Sequence, residues 1–492
     1  DHDDPKGLTV PRSLSRRDLM TGSLGLGAAA LLGGCTAGSP TTPVRIPPTP
    51  TLSTPAVRAI LRPGISQVDL GGITANTWCY DGQVPGKLLH AKAGDVVQVQ
   101  VRNQLPVETS VHWHGIRLHN TADGVPGITQ DPIAAGAEYT YTFQAPDPGT
   151  YFFHPHSGVQ IDRGLYAPLI VDDPAEPGGY DHEWVLVLDD WTDGVGRSPD
   201  DILAAFKAEH GTISQGMNHN MSGMGGMGRS PLGDVGDITY PYYLINGRIP
   251  AAPQTLTAKP GQRVRLRIIN AAADTLFRIA LGGHTLTVTH TDGYPVQPQQ
   301  TRALYLAQGE RADLLVTLAD GVFPLVACAE GKQGQGIILI RTGGGATPSA
   351  TVRPGELDTD PLLLAALMPT EAARLPQREP DQVEQVTLNG QMKPYAWGMN
   401  GTTFGSDTPI TTAAGRRVRL QMTNMTMMAH PMHIHGHTWS LPGNGGLRKD
   451  TVLVLPMQTI TADLEADNPG RWAYHCHNIY HAEIGMMTTL QY

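Results

Sequence analysis

Apolar and polar residues alternate in three stretches of this chain, each introduced by a glycine turn and closed by an asparagine. The first is Ala93-Gly94-Asp95-Val96-Val97-Gln98-Val99-Gln100-Val101-Arg102-Asn103. The second is Pro260-Gly261-Gln262-Arg263-Val264-Arg265-Leu266-Arg267-Ile268-Ile269-Asn270, and the third is Ala414-Gly415-Arg416-Arg417-Val418-Arg419-Leu420-Gln421-Met422-Thr423-Asn424. A period of two over this length predicts a half-buried β-strand. The three glycines lie 167 and 154 residues apart, a domain-sized period. Three homologous β-sandwiches are therefore predicted, over residues 56–175, 180–345 and 380–492, with a linker at 346–379. Helical character is expected only at Asp200–His210 and at Leu357–Ala373 in the linker.

Composition sharpens this picture. Charged residues make up 16% of the chain and it holds 57 Gly and 40 Pro, which excludes a coiled coil or helical repeat and favours short strands joined by tight turns. A hydrophobic fraction of 40% supplies a core and excludes wholesale disorder. With a net charge of −10 and no Lys/Arg-rich run, nucleic acid is not an expected partner. Four cysteines cannot form a disulfide framework, and Cys79 and Cys328 are left either free or bridging the first and second domains.

Residues 1–35 stand apart from the fold. A twin arginine in Ser15-Arg16-Arg17-Asp18-Leu19-Met20 precedes the apolar stretch Leu24–Leu32, which is shorter than the ~20 residues of a membrane span. It ends on Leu32-Gly33-Gly34-Cys35. The segment resembles a Tat export signal followed by a lipobox, with Cys35 as the lipidated first mature residue; a plain Sec signal with a chance arginine pair is the alternative. Residues 36–55, rich in Thr, Pro and Ser, read as a tether. An extracytoplasmic protein anchored at the outer face of the cytoplasmic membrane is the expectation.

The chemistry lies in four His-x-His windows. His112-Trp113-His114-Gly115 and His154-Pro155-His156-Ser157 fall in the first predicted domain. His430-Pro431-Met432-His433-Ile434-His435-Gly436-His437 and His475-Cys476-His477 fall in the third. On a strand, residues i and i+2 share a face and i+1 faces the other way, so each window offers two imidazoles to one side. Eight imidazoles, four from each end domain, suit a metal cluster held between those domains. If His475 and His477 face that cluster, Cys476 faces away. With His430, His481 and Met486 it makes a Cys-His-His-Met set, the blue-copper electron-transfer pattern.

On these motifs (HWHG, HPHS, HPMHIHGH and HCHNIYHAEIGM) residues 56–492 resemble the three-domain bacterial multicopper oxidases, related to laccases and copper-efflux oxidases and especially to lipoprotein-type actinobacterial members. The resemblance implies an all-β fold of three cupredoxin-like Greek-key sandwiches and four copper ions. His112 and His433 would bind the type 2 copper. His114, His154 and His477 would bind one type 3 copper, and His156, His435 and His475 the other. His430, Cys476, His481 and Met486 would bind type 1, with Met487 the competing axial residue. Dioxygen would be reduced to water at the trinuclear cluster. Asp123 matches a proton-delivering carboxylate of relatives, against a plain turn role before Gly124. A second relay acid often follows the last type 1 histidine directly; that position is Ala482, and Glu483 is the substitute.

Met217, Met221, Met224 and Met227 stud the Gly-rich segment 216–228. Thioethers are soft Cu(I) ligands, and copper-efflux oxidases carry a comparable insertion; a low-complexity loop with incidental methionines is the alternative. Met425, Met427 and Met428 could add a soft entry site or be core, and Met428 sits where efflux oxidases place a substrate-copper methionine. An acidic partner of relatives is here Thr426. The leading expectation is a monomeric cuprous oxidase in copper tolerance, with side activity on phenols and aromatic amines. A laccase, bilirubin oxidase or ferroxidase with the same coppers is second, and a non-enzymatic copper store third. His119, His284, His290 and His437 are left outside the ligand set.

Overall fold

The computed structural model describes residues 48–213 and 230–492. The export-like segment 1–35, most of the tether and the Met-rich segment 216–228 lie outside the described residues. Strands dominate, and the three alternating stretches become equivalent strands: Val96–Arg102, Arg263–Asn270 and Arg417–Asn424. Each has a parallel partner on one side, supplied by Val57–Leu61, His182–Trp191 and Gln382–Gln391. Each has an antiparallel partner on the other, supplied by Glu138–Gln144, Arg311–Thr317 and Thr459–Glu465. Parallel neighbours cannot be joined by a hairpin, so the chain crosses to the facing sheet between them, which produces the Greek-key sandwich three times. The expected all-β class holds.

The closing asparagines show why the repeat carries that residue. Asn103, Asn270 and Asn424 each accept a backbone N–H from two residues on, at 3.0, 2.9 and 2.9 Å. Each side-chain amide then donates to at least two carbonyls. Asn103 reaches Val107 and Ile133, Asn270 reaches Thr275 and Leu306, and Asn424 reaches Met428 and Val454. One buried side chain thus ties the loop after the strand to a segment roughly thirty residues away, leaving its polar atoms satisfied. In the third sandwich that loop runs directly into His430.

Half-burial holds for the first copy, whose Val97, Val99 and Val101 are fully buried while Gln98 and Gln100 are partly open. The second copy is buried on both faces. Its polar face meets the first sandwich, where Arg267 donates to Thr150 at 2.9 Å and both Arg265 and Arg267 pair with Asp313. Polar alternation here marks a charged domain contact instead of a solvated face.

Two α-helices occur among the described residues. The first, α1, spans Pro199–Ala208 with Ser198 capping Asp201 N at 3.1 Å, close to the expected Asp200–His210. The expected helix at 357–373 is instead three short 3₁₀ turns, Gly355–Asp358, Leu364–Ala366 and Glu371–Ala373. Pro361 and Pro369 interrupt it, each removing a donor and pushing the preceding residue out of the helical region. The second, α2, spans Ile479–Ile484, capped by Asn478 and ended at Gly485; it is too short to carry a readable periodicity. No helix among the described residues is long and apolar enough to cross a membrane. Cys79 and Cys328 are both free, and Cys328 accepts a hydrogen bond from Arg353 at 3.3 Å.

Candidate metal centres

Strand parity sorts the ligand candidates. The strand His430–Ile434 pairs antiparallel with Arg471–Cys476, with Met432 opposite Cys476 and His433 opposite His475. Opposed residues share a face, so His430 and Cys476 lie on one side of this sheet and His433, His475 and His477 on the other. The tripeptide His475-Cys476-His477 therefore reaches both sides.

On the first side, α2 brings His481 against the strand end. The Cys476 sulfur lies 3.6 Å from Nδ1 of both His430 and His481, and those two nitrogens are 3.2 Å apart. Each ring is fixed by its remote nitrogen, His430 Nε2 lying 2.8 Å from Thr426 Oγ1 and His481 Nε2 donating to Asp237 Oδ2 at 2.8 Å. Burial would lower the His481 pKa, but Asp237 and the Cys476 sulfur outweigh it and carry it up to about 10. Trp397 stacks on His481 with 4.3 Å between ring centroids. Met486 is fully buried beside this set, its carbonyl accepting the Cys476 N–H. Met487 begins the next strand opposite His475 and packs with Val125 and Ile128.

On the other side, the strand His112–His114 pairs His112 with His154 and sends Trp113 into the core. His114, His154 and His477 converge as one set, with His477 Nε2 3.2 Å from His114 Nδ1. His156, His435 and His475 form a second, with His475 Nε2 3.2 Å from His156 Nε2 and 3.0 Å from His435 Nε2. His112 and His433 lie between, ring centroids 5.9 Å apart. Most rings give Nδ1–H to an oxygen: His112 to Asp123 O, His154 to Pro155 O, His433 to Asp450 O and His475 to Cys476 O, at 2.8–2.9 Å. His114 is reversed, its Nε2 held 3.2 Å from Asp450 Oδ1. That orientation leaves Nε2 of His112, His154 and His433 buried without a hydrogen-bond partner. Unpaired buried nitrogens aimed into one space cost stability unless an ion takes them. Burial, reinforced by neighbouring imidazoles, lowers the pKa of His154 and His477 and takes His475 to about 3, and so keeps these three neutral and able to ligate.

Asp123 faces the cage. Its Oδ2 accepts from His435 Nδ1 at 2.9 Å and its Oδ1 lies 3.3 Å from His112 Nδ1. The turn that aims it needs Gly124 (φ +79), where a Cβ would lie 1.7 Å from Val111 O. Glu483 is half-buried on α2, its pKa raised by burial and opposed by Lys207, and makes no hydrogen bond to either histidine set among the described residues. Met428 is buried, Met427 is 47% exposed and Met425 is half-buried. The described residues that follow the Met-rich segment are stitched beside them. Asp234 N donates to Met427 O at 3.0 Å and Ala429 N to Asp234 O at 2.8 Å. His284 and His437 have both ring nitrogens engaged elsewhere, His284 with Gly282 and Ala319, His437 with His435 O and Tyr492.

Several residues around the sites carry no sequence signal. Asp450 holds His114 and is itself gripped by Arg311 of the second sandwich at 2.8 and 2.7 Å, all with fully buried side chains. Burial would raise the Asp450 pKa, yet the guanidinium holds it well below the ordinary carboxylate range. Gly309, also from the second sandwich, presses on the cage: a Cβ there would lie 2.9 Å from His114 Cε1. Asp237, which fixes the outer nitrogen of His481, likewise has no motif around it, while Thr426, at the position singled out beside the methionines, fixes that of His430.

Family models described as multicopper oxidase match residues 65–176, 182–345 and 377–492. The chain is 49% identical to multicopper oxidase MmcO of Mycobacterium tuberculosis over 89% of this chain and 87% of that protein. It is 30% identical to a copper resistance protein A homolog of Pseudomonas syringae pv. tomato, over 86% and 90% of the two. Among solved structures, the multi-copper oxidase from Pseudomonas thermotolerans matches with a TM-score of 0.67 and 26% identity, covering 89% of this chain and all of that one.

Proposed function

The chain belongs to the multicopper oxidases, copper-dependent oxidoreductases, and on that premise we propose that it is a cuprous oxidase acting in copper tolerance. His430, Cys476, His481 and Met486 would hold the type 1 ion. His112 and His433 would hold type 2, and the sets His114/His154/His477 and His156/His435/His475 the type 3 pair. Bound copper supplies one-electron uptake from the reductant on the Cys476 side and four-electron reduction of dioxygen to water in the cage. The protein's own residues do the rest. Thr426 and Asp237 fix the outer nitrogens of His430 and His481, while Asp450 and Arg311 hold His114 rigid. Asp123, hydrogen-bonded to rings of both end sandwiches, is the group we assign to proton delivery, and Glu483 is a second candidate through its raised pKa.

Cu(I) as reductant is carried by one observation: residues 234–237 lead from the Met-rich segment onto Met427–Ala429 and His481. Met428 is buried on that path, two residues ahead of His430, and the sequence just before it supplies Met217, Met221, Met224 and Met227. Soft thioethers there favour Cu(I) over harder ions. The likeness to copper resistance proteins agrees. A cleft of about 340 Å³ lined by Phe206, Ile238 and Asp237 favours a secondary activity on small phenols or aromatic amines. Eight cage histidines argue against a copper store, which needs no oxygen site. Export through the Tat pathway with a lipid on Cys35 rests on residues 15–35 and places the enzyme outside the cytoplasm.

Oxygen uptake with Cu(I), Fe(II) and a phenol, measured with and without residues 216–228, tests the substrate. Loss of Cu(I) turnover alone is expected on deletion; equal loss, or none, for all three reductants would refute it.

A further inference from the structure

Arg448 is a buried cation without a counter-ion. It is 9% exposed, and no carboxylate lies within 4.0 Å of it among the described residues. Its guanidinium touches only neutral groups. Nε donates to Thr438 Oγ1 at 3.0 Å, and Ala373 O and Tyr294 Oη lie at 3.5 Å. The Tyr294 ring lies 4.6 Å beneath it. A guanidinium has five N–H groups and a fixed charge, so such burial is costly unless an anion completes it.

The same side chain lines a cavity of about 510 Å³ where the first sandwich, the third and the linker meet, a size usual for small-molecule sites. Its other charges are already matched. Arg117 is gripped by Asp147 at 2.6 and 3.1 Å and faces Asp467 at 3.6 Å. Arg378 shares Glu465 with Arg417 and reaches Asp381 at 3.5 Å. Arg448 is therefore the one cation of the lining with no carboxylate partner among the described residues. Glu465 and Asp467 on the same wall oppose a multiply charged anion, and Leu375 and Pro376 add an apolar stretch.

We propose that this cavity binds a small organic monocarboxylate, its carboxylate on Arg448 and Thr438 and its apolar body against Leu375 and Pro376. A planar fork meeting a carboxylate supplies the geometry as well as the charge. The site adjoins the segments that carry the cage. Thr438 follows His437, which donates to His435 O at 3.0 Å, and Arg448 precedes Asp450 by two residues.

Titration calorimetry and thermal shift on the copper-loaded full chain, with benzoate, its neutral analogue benzamide and inorganic phosphate at fixed ionic strength, test the site. Benzoate should bind saturably at one equivalent, phosphate more weakly and benzamide not at all. Arg448→Gln should weaken benzoate by about tenfold or more, and Arg448→Lys should lose less because it keeps the charge. Arg378→Gln, whose charge is already matched, should stay within about twofold. The last two comparisons stand if Arg448→Gln fails to fold. Unchanged benzoate affinity in the Arg448 variants, benzamide binding as well as benzoate, phosphate binding more tightly, or no benzoate binding by either method would each overturn the proposal.

Discussion

Cys476 and its two flanking histidines act as individuals because one strand position decides which side each reaches. Cys476→Ser should abolish the blue absorption and the turnover while leaving the far-ultraviolet circular dichroism unchanged; retained turnover would break the proposed link between the two sites. The buried imidazoles also set a pH dependence. Burial lowers the pKa of His114, His154, His156, His430, His433, His435 and His477, and takes His475 from 6.5 to about 3. The unfolded chain therefore binds more protons than the folded one below pH about 6.5. In the copper-free protein, the stability these rings contribute is complete above that value and lost as pH falls toward 3. His481, raised to about 10, works in the opposite sense but only above 6.5, where its contribution fades as pH rises. Melting temperatures of copper-free protein should thus fall progressively on acidification below pH about 6.5; a flat profile would contradict the burial of these rings.

At the scale of one element, the repeated strand and its closing asparagine do the positioning. Asn424 ties Met428 and Val454 together just ahead of His430, and its oxygen accepts from Thr426, whose hydroxyl fixes the His430 ring. Asn424→Ala should cost about 1–3 kcal/mol, because carbonyls and an N–H are left buried without partners. It should also weaken copper retention at the Cys476 site more than in the cage, read as lost blue absorption per copper bound. Equal loss at both sites would mean that the asparagine serves only stability. The strands themselves were legible, since a period of two survives without knowledge of the neighbours. The burial of Arg265 and Arg267 was not, because a polar strand face reads alike whether it meets water or is covered by a neighbouring sandwich and paired with carboxylates of its own sheet. The 357–373 stretch misled for a local reason: its leucines and alanines suit a helix, while its two prolines forbid a continuous one.

Across the whole molecule, the end sandwiches supply the histidines and the middle one clamps them. Gly309 and Arg311 project from the second sandwich onto His114, His477 and Asp450. Gly309→Ala adds a methyl 2.9 Å from His114 at a φ of +83°, and should both strain the backbone by about 1–3 kcal/mol and push the cage open. Copper analysis with electron paramagnetic resonance should then find cage copper reduced and the type 1 signal kept; a full complement would show that the cage yields without loss.

The fold class and the two-sidedness of His475-Cys476-His477 follow from the sequence alone, because alternation is a property of a single strand and needs no partner. The grouping of the imidazoles came from the resemblance to a family and not from the chain's own pattern, and that Asp450, Arg311, Asp237 and Gly309 stand around them was decided only by the docking of the three sandwiches. Those contacts join segments hundreds of residues apart, and a lone acid, arginine or glycine leaves no periodic trace in the chain that carries it.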